Sequence, residues 1–221
     1  MSTIAENIAG IRAQMAEAAK KAGRDPSEIL LCAATKMNDA ERVKEAVAAG
    51  VDCCGENRVQ ELVKKLDEHA YDGAPVHFIG ALQRNKVRQV VGQVDVIESV
   101  DRRELLADIN AEAAKRGIVQ DILLEVNIGG EASKSGISPE ELSALAAQAV
   151  GSPHVRLRGL MAIPPVAAGP DGNRPFFTKM RQLYVDIRSQ MDDNKTSFDC
   201  LSMGMSGDFE DAVREGATLV R

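Results

Sequence analysis

The stretch Ile29-Leu-Leu-Cys-Ala-Ala-Thr-Lys36 contains seven uncharged residues and ends in one lysine. An uncharged run of this kind is typical of a strand that is buried on both faces in a parallel sheet. Because side chains alternate along a strand with a period of two, Cys32, Ala34 and Lys36 share one face. We therefore predict that Lys36 stands at the carboxyl end of a buried strand, where α/β folds bind their ligands.

The chemistry open to Lys36 depends on what else lies at that end of the sheet. A primary amine in such a place can form a Schiff base, although a lysine that simply reaches into solvent is the alternative. The turn Ser206-Gly207 precedes a predicted helix, where free N–H groups favour a phosphate, although an ordinary βα turn would look the same. An amine and a phosphate-binding turn in one mouth suit a phosphorylated aldehyde such as pyridoxal phosphate.

The fold prediction rests on the alternation of strand-like runs and helical patterns along the whole chain. Eight strands begin near residue 29 and end near residue 220, with about 27 residues per βα unit, which is the spacing of repeated crossovers. This pattern predicts a (β/α)8 TIM barrel, preceded by an extra N-terminal helix over residues 3–22. An open doubly wound sheet is the alternative, but residues 35–38 lack the Gly-rich turn that such sheets carry after the first strand. We find no linker, so we expect residues 1–221 to form a single domain.

Composition narrows the functional classes. The chain of 221 residues has a net charge of −6 and no basic run, which argues against nucleic-acid binding. No apolar run approaches the ~20 residues of a membrane span, and the N-terminus does not resemble a signal peptide, so we predict a cytoplasmic protein. The four cysteines form no C-x-x-C motif and are predicted to be buried, reduced thiols, and the three histidines show no metal-ligand spacing.

Side chains from several predicted strand ends should meet at one mouth of the barrel. The candidates are Lys36, Asn57, His77, Asn127, Met161, Ser202, Met203 and Arg221. Taken singly, many of these have ordinary roles, because a histidine on an apolar strand is commonly a satisfied core residue and a methionine commonly packs. Lys134, in a Gly/Ser loop, is by the same reasoning more often a solvated charge than a ligand.

Seven motifs occur in a fixed order along the chain. They are Thr35-Lys36, the GENRVQE of residues 55–61, the HFIGALQRNK of 77–86, the VNI of 126–128, the SKSG of 133–136, the RGLMAI of 158–163 and the LSMGMSGD of 201–208. In this order, and over nearly the whole chain, they resemble the pyridoxal phosphate homeostasis proteins. That single-domain family is similar to the barrel domain of alanine racemase.

The resemblance implies a role for each candidate residue. Lys36 would carry pyridoxal phosphate as a Schiff base, Arg221 would face the pyridine nitrogen, and Ser206 and Gly207 would hold the phosphate. The residues that would line the cofactor are Asn57, His77, Met161, Ser202 and Met203, and Lys134 matches a loop lysine that helps exchange the cofactor. The family continues after Val-Arg with Ile-Gly-Thr-Ala-Ile-Phe-Gly and a last helix. We therefore expect the last βα unit to be incomplete in the printed sequence, with half of the phosphate site beyond Arg221.

The same resemblance implies a function without a defined turnover reaction. An arginine beside the pyridine nitrogen disfavours its protonation, and a neutral ring is a weak electron sink. Racemisation needs acid/base groups on both faces of the substrate, and the two tyrosines, Tyr71 and Tyr184, fall in helical or loop stretches. We predict a monomeric protein of intracellular pyridoxal phosphate homeostasis that delivers its cofactor to apo-enzymes. An amino-acid racemase and an aldolase that uses Lys36 directly are the alternatives.

Overall fold

Eight parallel strands form a closed barrel in the computed structural model, which describes residues 2–131, 134–166, 169, 171–191 and 198–221. Each strand pairs with the next along the chain, and the last pairs with the first, so the predicted (β/α)8 barrel is confirmed and the open sheet is excluded. The strands are β1 (Leu30–Ala34), β2 (Cys53–Glu56), β3 (Val76–Phe78), β4 (Val96–Val100), β5 (Gln120–Glu125), β6 (Val155–Met161), β7 (Cys200–Ser202) and β8 (Leu219–Val220).

Seven α-helices lie in the described ranges, and all but the first connect successive strands. They are α1 (Ile4–Lys21), α2 (Ala40–Ala48), α3 (Val59–Asp67), α4 (Arg103–Arg116), α5 (Leu142–Val150), α6 (Arg174–Gln190) and α7 (Phe209–Arg214). A capping box between Thr3 and Glu6 begins α1, the predicted N-terminal helix. This helix packs against α7 and α2, the two helices on either side of the seam where β8 meets β1.

The connection after β3 differs from its prediction. The sequence pattern predicts a helix over residues 84–92, and the structure has a shorter 3₁₀ helix there, Arg84–Gln89. Buried Val87 and Val90 lie three residues apart, which matches the three residues per turn of a 3₁₀ helix. Several other elements begin two to four residues after the start that their sequence pattern indicates. Among the strands, β2 begins at Cys53 rather than at 51, β4 at Val96 rather than at 94, β7 at Cys200 rather than at 198 and β8 at Leu219 rather than at 217. Among the helices, α3 begins at Val59 rather than at 56, and α5 at Leu142 rather than at 138.

Two hydrophobic layers hold the barrel together. The larger lies between strands and helices, and it contains Met203 and Val220. The barrel interior is filled mainly by Cys32, Cys53, Val96, Leu123, Met161 and Leu219, with half-buried Cys200 between them. The cysteines are free, and a hydrogen bond with Cys32, together with burial, raises the pKa of the Cys53 thiol.

The prediction of a fully buried first strand is wrong at both ends. Leu30 is 45% exposed, and Ala34 is also exposed, while Leu31 and Cys32 are buried. Inward-facing side chains are covered only in the middle of a barrel, so those at the two rims meet solvent.

Two glycines allow the chain to approach closely at the carboxyl rim. A Cβ at Gly80, just after β3, would lie 2.1 Å from the carbonyl oxygen of Asn57. Gly204 has φ +94°, and its carbonyl accepts a 3.0 Å bond from the N–H of Arg221. A side chain at Gly80 would collide with the backbone of Asn57, and one at Gly204 would lie 2.5 Å from the Cβ of Ala212 in α7.

No helix among the described residues is long and apolar enough to cross a membrane. Two sequence features fall partly outside those residues: Ser133 of the SKSG motif, and residues 167, 168 and 170 of the loop predicted between strand six and the long helix.

Candidate functional site

Lys36 lies in the turn that follows β1, at the carboxyl rim of the barrel, and it is exposed. In the closed sheet β1 pairs with β2 on one side and with β8 on the other. Asn57 follows β2 and Arg221 follows β8, so these two residues flank Lys36 along the rim. The rim therefore brings together three of the residues that the sequence predicted for the site.

A buried ion pair lies just outside the barrel beneath this turn. Glu56, at the end of β2, is 0% exposed, and its Oε2 accepts bonds from Lys65 Nζ at 2.6 Å, Thr35 Oγ1 at 3.0 Å and Tyr71 Oη at 3.3 Å. Lys65 also donates to the carbonyl oxygen of Thr35 at 2.7 Å. We call Thr35, Glu56, Lys65 and Tyr71 the outer cluster. It fixes the residue that immediately precedes Lys36.

A second buried carboxylate lies inside the barrel. Glu98 on β4 is 0% exposed, and its Oε1 lies 2.6 Å from His77 Nδ1. Its Oε2 accepts a 2.6 Å bond from Ser202 Oγ and a 3.3 Å bond from Arg221 Nη1. We call His77, Glu98, Ser202 and Arg221 the inner cluster. It joins three predicted site residues through one residue that the sequence reasoning missed.

The inner cluster keeps Glu98 charged and Arg221 oriented. Burial opposes the charge of Glu98, but the bond and charge of His77, the charge of Arg221 and the Ser202 bond together hold its pKa below the usual range. The Arg221 side chain is 4% exposed, and Nη1 and Nη2 donate to Ser202 Oγ and to the carbonyl oxygen of Ala162, each at 3.0 Å. A buried, fixed cation thus stands at the rim beside the position of Lys36.

Glu125, near the inner cluster at the end of β5, behaves differently. Burial, the nearby charge of Asp101 and that of Glu98 raise its pKa to about 7, and Arg221 only partly opposes the shift. Within the described part of the chain, no group donates a hydrogen bond to its side chain. Glu125 is therefore a carboxyl group that changes charge near neutral pH.

Several groups at the rim fit a phosphorylated aldehyde. Asn57 Oδ1 is buried and has no hydrogen-bond partner, so it can accept a bond from a ligand. The N–H groups of Ser206 and Gly207 donate no bond to any described residue. Both residues line a pocket of about 500 Å³, which Arg214 and the carboxylates of Asp171, Asp208, Glu210 and Asp211 also line. With the exposed amine of Lys36 and the buried guanidinium of Arg221, the rim offers an amine, an acceptor, a cation and free N–H donors.

The other predicted residues lie elsewhere in the barrel. Met161 packs in the barrel interior, whereas Met203 is buried in the outer layer, so the structure does not bring the Met203 side chain to the rim. His77 also borders a cavity at the amino end of the barrel with Leu30 and Leu219. Lys134 donates 3.1 Å to the carbonyl oxygen of Pro164 and pairs with Glu131, so it joins two rim loops. The roles of these residues toward a cofactor stay predictions.

The residues that were missed had a signal in the sequence. Glu98 is the one charge in the otherwise uncharged strand Val96–Val100, and a buried charge requires a partner. Lys65 stands at a buried position of α3, an otherwise amphipathic helix. The described residues contain no group of three or more His, Cys, Asp or Glu side chains that could hold a metal ion.

The sequence profile of the alanine racemase N-terminal domain matches residues 4–221. The pyridoxal phosphate homeostasis protein of Aquifex aeolicus is 40% identical over 216 residues, which cover 98% of this chain and 93% of that protein. The protein of the same name from Pseudomonas aeruginosa is 43% identical over 221 residues, or 100% of this chain and 93% of that one.

A solved structure shows the same architecture. PipY of Synechococcus elongatus, determined with pyridoxal phosphate bound, superposes with a TM-score of 0.85 at 33% identity, and the match covers 99% of this chain and 97% of PipY. PipY determined without pyridoxal phosphate gives a TM-score of 0.87 over the same shares of the two chains.

Proposed function

Because the chain belongs to the family of pyridoxal phosphate homeostasis proteins, whose barrel is that of the alanine racemase N-terminal domain, we propose that it binds pyridoxal phosphate on Lys36 and keeps it available to other proteins. The observation that carries the proposal is the exposed amine of Lys36 at a rim where Asn57 Oδ1 is buried and unpartnered. Family membership makes the ligand pyridoxal phosphate rather than another carbonyl compound.

Pyridoxal phosphate supplies an aldehyde that condenses with a primary amine. Lys36 Nζ would form the C=N bond, and the aldehyde oxygen would leave as water. Arg221 would face the pyridine nitrogen, where a cation held by Glu98 and Ser202 disfavours protonation of the ring. Asn57 would accept a hydrogen bond at the same rim, and Met161 would form part of the floor.

Ser206 and Gly207 would hold the phosphate through their N–H groups. The nearest carboxylate in the turn is already engaged, because Asp208 Oδ1 accepts from the N–H of Met205 at 2.7 Å and Oδ2 accepts from Asn173 Nδ2 at 2.6 Å. These bonds hold the turn in place.

We propose that the protein has no turnover reaction of its own. A racemase needs a second acid/base group across the substrate from its lysine. Both tyrosine hydroxyls bond elsewhere, since Tyr71 donates to Glu56 and Tyr184 donates to the carbonyl oxygen of Phe198 at 2.9 Å. The Arg221 cation also disfavours the protonated ring that most amino-acid chemistry on this cofactor requires. Delivery to apo-enzymes in the cytoplasm, by a monomer, completes the proposal.

The test is reduction with borohydride after incubation with pyridoxal phosphate, followed by peptide mass spectrometry. We expect one reduced adduct, on Lys36, a yellow protein before reduction, and no sustained turnover of amino acids. Lys36→Ala should lose the adduct and keep its circular dichroism, whereas Lys44→Ala, at an exposed lysine of α2, should behave as the wild type. An adduct that persists on another lysine in Lys36→Ala would overturn the assignment. Steady racemisation would favour the racemase, and a colourless protein that reacts only with a substrate would favour the aldolase.

A further inference from the structure

The turn that carries Lys36 is held from outside the barrel by α3. The carbonyl oxygen of Thr35 accepts from Lys65 Nζ at 2.7 Å, and the N–H of Met37 donates to Glu61 Oε2 at 2.9 Å. The residues on both sides of Lys36 are therefore bonded to side chains of one helix, while Lys36 itself stays exposed.

Met37 needs that support because its backbone is in the left-handed region, with φ +62°. This conformation is unfavourable for a residue with a side chain and persists only where the surroundings enforce it. The Met37 side chain is 85% exposed and so contributes little packing. The hydrogen bond from its N–H to Glu61 is the contact that compensates for the conformation.

Glu61 is suited to this task by its own environment. The bond from Met37 N–H lowers the pKa of Glu61, burial opposes the shift, and Lys65 and Arg58 add to it, so the carboxylate stays charged. Glu61 Oε2 lies 3.4 Å from Lys65 Nζ, which in turn is 2.6 Å from Glu56 Oε2. Through Lys65, Glu61 is thus connected to the buried outer cluster.

We propose that Glu61 is a positioning residue for Lys36, which sets the turn so that the amine is aimed into the barrel mouth for C=N bond formation. The inference deepens the function proposed above and rests on it. Glu61 bonds the backbone N–H of Met37 rather than Lys36 itself, so it acts on Lys36 through the turn. Orientation of a reacting amine is a rate effect, because a displaced group must find its reactive geometry in each encounter.

The experiment measures the rate at which pyridoxal phosphate is trapped on Lys36 by borohydride, across a range of pH, in four variants. Glu61→Leu removes the acceptor, and Glu61→Asp keeps the charge but is one methylene too short to reach Met37. Glu61→Gln keeps an acceptor of the same length. Glu68→Leu, just past the end of α3, is the matched control, since Glu68 makes only a 3.7 Å surface pair with Lys64.

We expect trapping to be about 10-fold slower in Glu61→Leu and Glu61→Asp at every pH, as for loss of one charge-assisted hydrogen bond. Glu61→Gln should stay within about 3-fold of the wild type, and Glu68→Leu should match it. Folding is checked by circular dichroism, and Glu61→Asp carries the test if Glu61→Leu fails to fold. If the wild type forms the adduct and folded Glu61→Asp forms it at the same rate, the positioning role is overturned and the proposed function stands. A wild type that forms no adduct would instead overturn the proposed function.

Discussion

The outer and inner clusters are built from similar groups in different places. Each centres on a glutamate that is 0% exposed, Glu56 outside the barrel and Glu98 inside it. Each glutamate accepts a bond from a hydroxyl and lies next to one buried cation, Lys65 or Arg221. A further ring group, Tyr71 or His77, completes each set. The same solution to a buried carboxylate therefore appears on both sides of the strand layer.

What differs is the part of the site that each cluster holds. Lys65 of the outer cluster bonds the carbonyl oxygen of Thr35, and its neighbour Glu61 accepts from the N–H of Met37, so the backbone is held on both sides of Lys36. The inner cluster links side chains of β3, β4 and β7 with Arg221, and it sets the charge that a ligand ring would meet. We infer that the outer cluster determines where the amine of Lys36 points, and that the inner cluster determines the electrostatics beside it.

The largest expected effect comes from removing the outer cation. Lys65→Met leaves Glu56 charged, buried and without its partner, so the free energy of unfolding should fall by about 3–5 kcal/mol. The measurement is urea unfolding followed by circular dichroism. Lys64→Met is the matched control, because Lys64 is the preceding residue of α3 and its side chain is 75% exposed. Equal midpoints for the two variants would show that the outer cluster is not a stabilising element.

Glu125 lies near the inner cluster but accepts no hydrogen bond from a described residue, so it shows what an unpartnered carboxylate costs there. Its folded pKa of about 7 exceeds its ordinary value of 4.5, so between these values the unfolded chain binds fewer protons than the folded chain. Stability contributed by this group therefore falls as the pH rises from about 4.5 to 7, by about 1.4 kcal/mol per unit and about 3 kcal/mol in all. Glu125→Gln should remove this slope and be more stable than the wild type at pH 8.

The Glu125 prediction is checked by urea unfolding at several pH values. Glu41→Gln is the control, since the Glu41 side chain is 79% exposed and should leave the slope unchanged. If Glu125→Gln shows the same dependence of unfolding free energy on pH as the wild type, the prediction is wrong. The Glu125 carboxyl would then be charged in the folded protein over the whole pH range.

The smallest expected effects come from removing one hydroxyl from each cluster, Ser202 from the inner and Thr35 from the outer. The two losses of unfolding free energy compare the clusters. Ser202 Oγ donates to Glu98 at 2.6 Å and accepts from Arg221, so it joins two charged groups. Thr35 Oγ1 shares its one proton between Glu56 at 3.0 Å and the carbonyl oxygen of Gly55 at 3.2 Å. Ser202→Ala should therefore lower the free energy of unfolding by about 2 kcal/mol and Thr35→Val by about 1 kcal/mol. Ser138→Ala, whose hydroxyl bonds a carboxylate at the surface, should change it by less than about 0.5 kcal/mol. The three variants are compared by urea unfolding. If Thr35→Val lowers the free energy of unfolding more than Ser202→Ala does, the ranking of the two hydroxyls is wrong.

Local sequence was sufficient for the repeated architecture. Strand β6 has the bounds 155–161 that its apolar run indicates, and the eight strands occur in the predicted order. The sequence offered Asn38 or Asp39 as the N-cap of α2, and the structure has Asp39. Hydrophobic periodicity and capping act over a few residues, so local sequence suffices for them. The predicted starts of several other elements were wrong by two to four residues, with the largest error at α5. At these elements the hydrophobic pattern is compatible with several starting residues, and packing against neighbouring elements selects one of them.

The amino-acid sequence by itself thus determined the order of the βα units, the place of Lys36 after the first strand and, through its ordered motifs, the family. It did not show that Glu98 joins His77, Ser202 and Arg221, since these residues lie on four different segments up to 144 positions apart. Nor did it show that Glu61 and Lys65 hold the backbone around Lys36. Only the closure of the barrel decided these contacts. A buried charge selects its partners by distance in the folded chain, and closure brings distant strands together in a low-dielectric interior where unpaired charges are unfavourable.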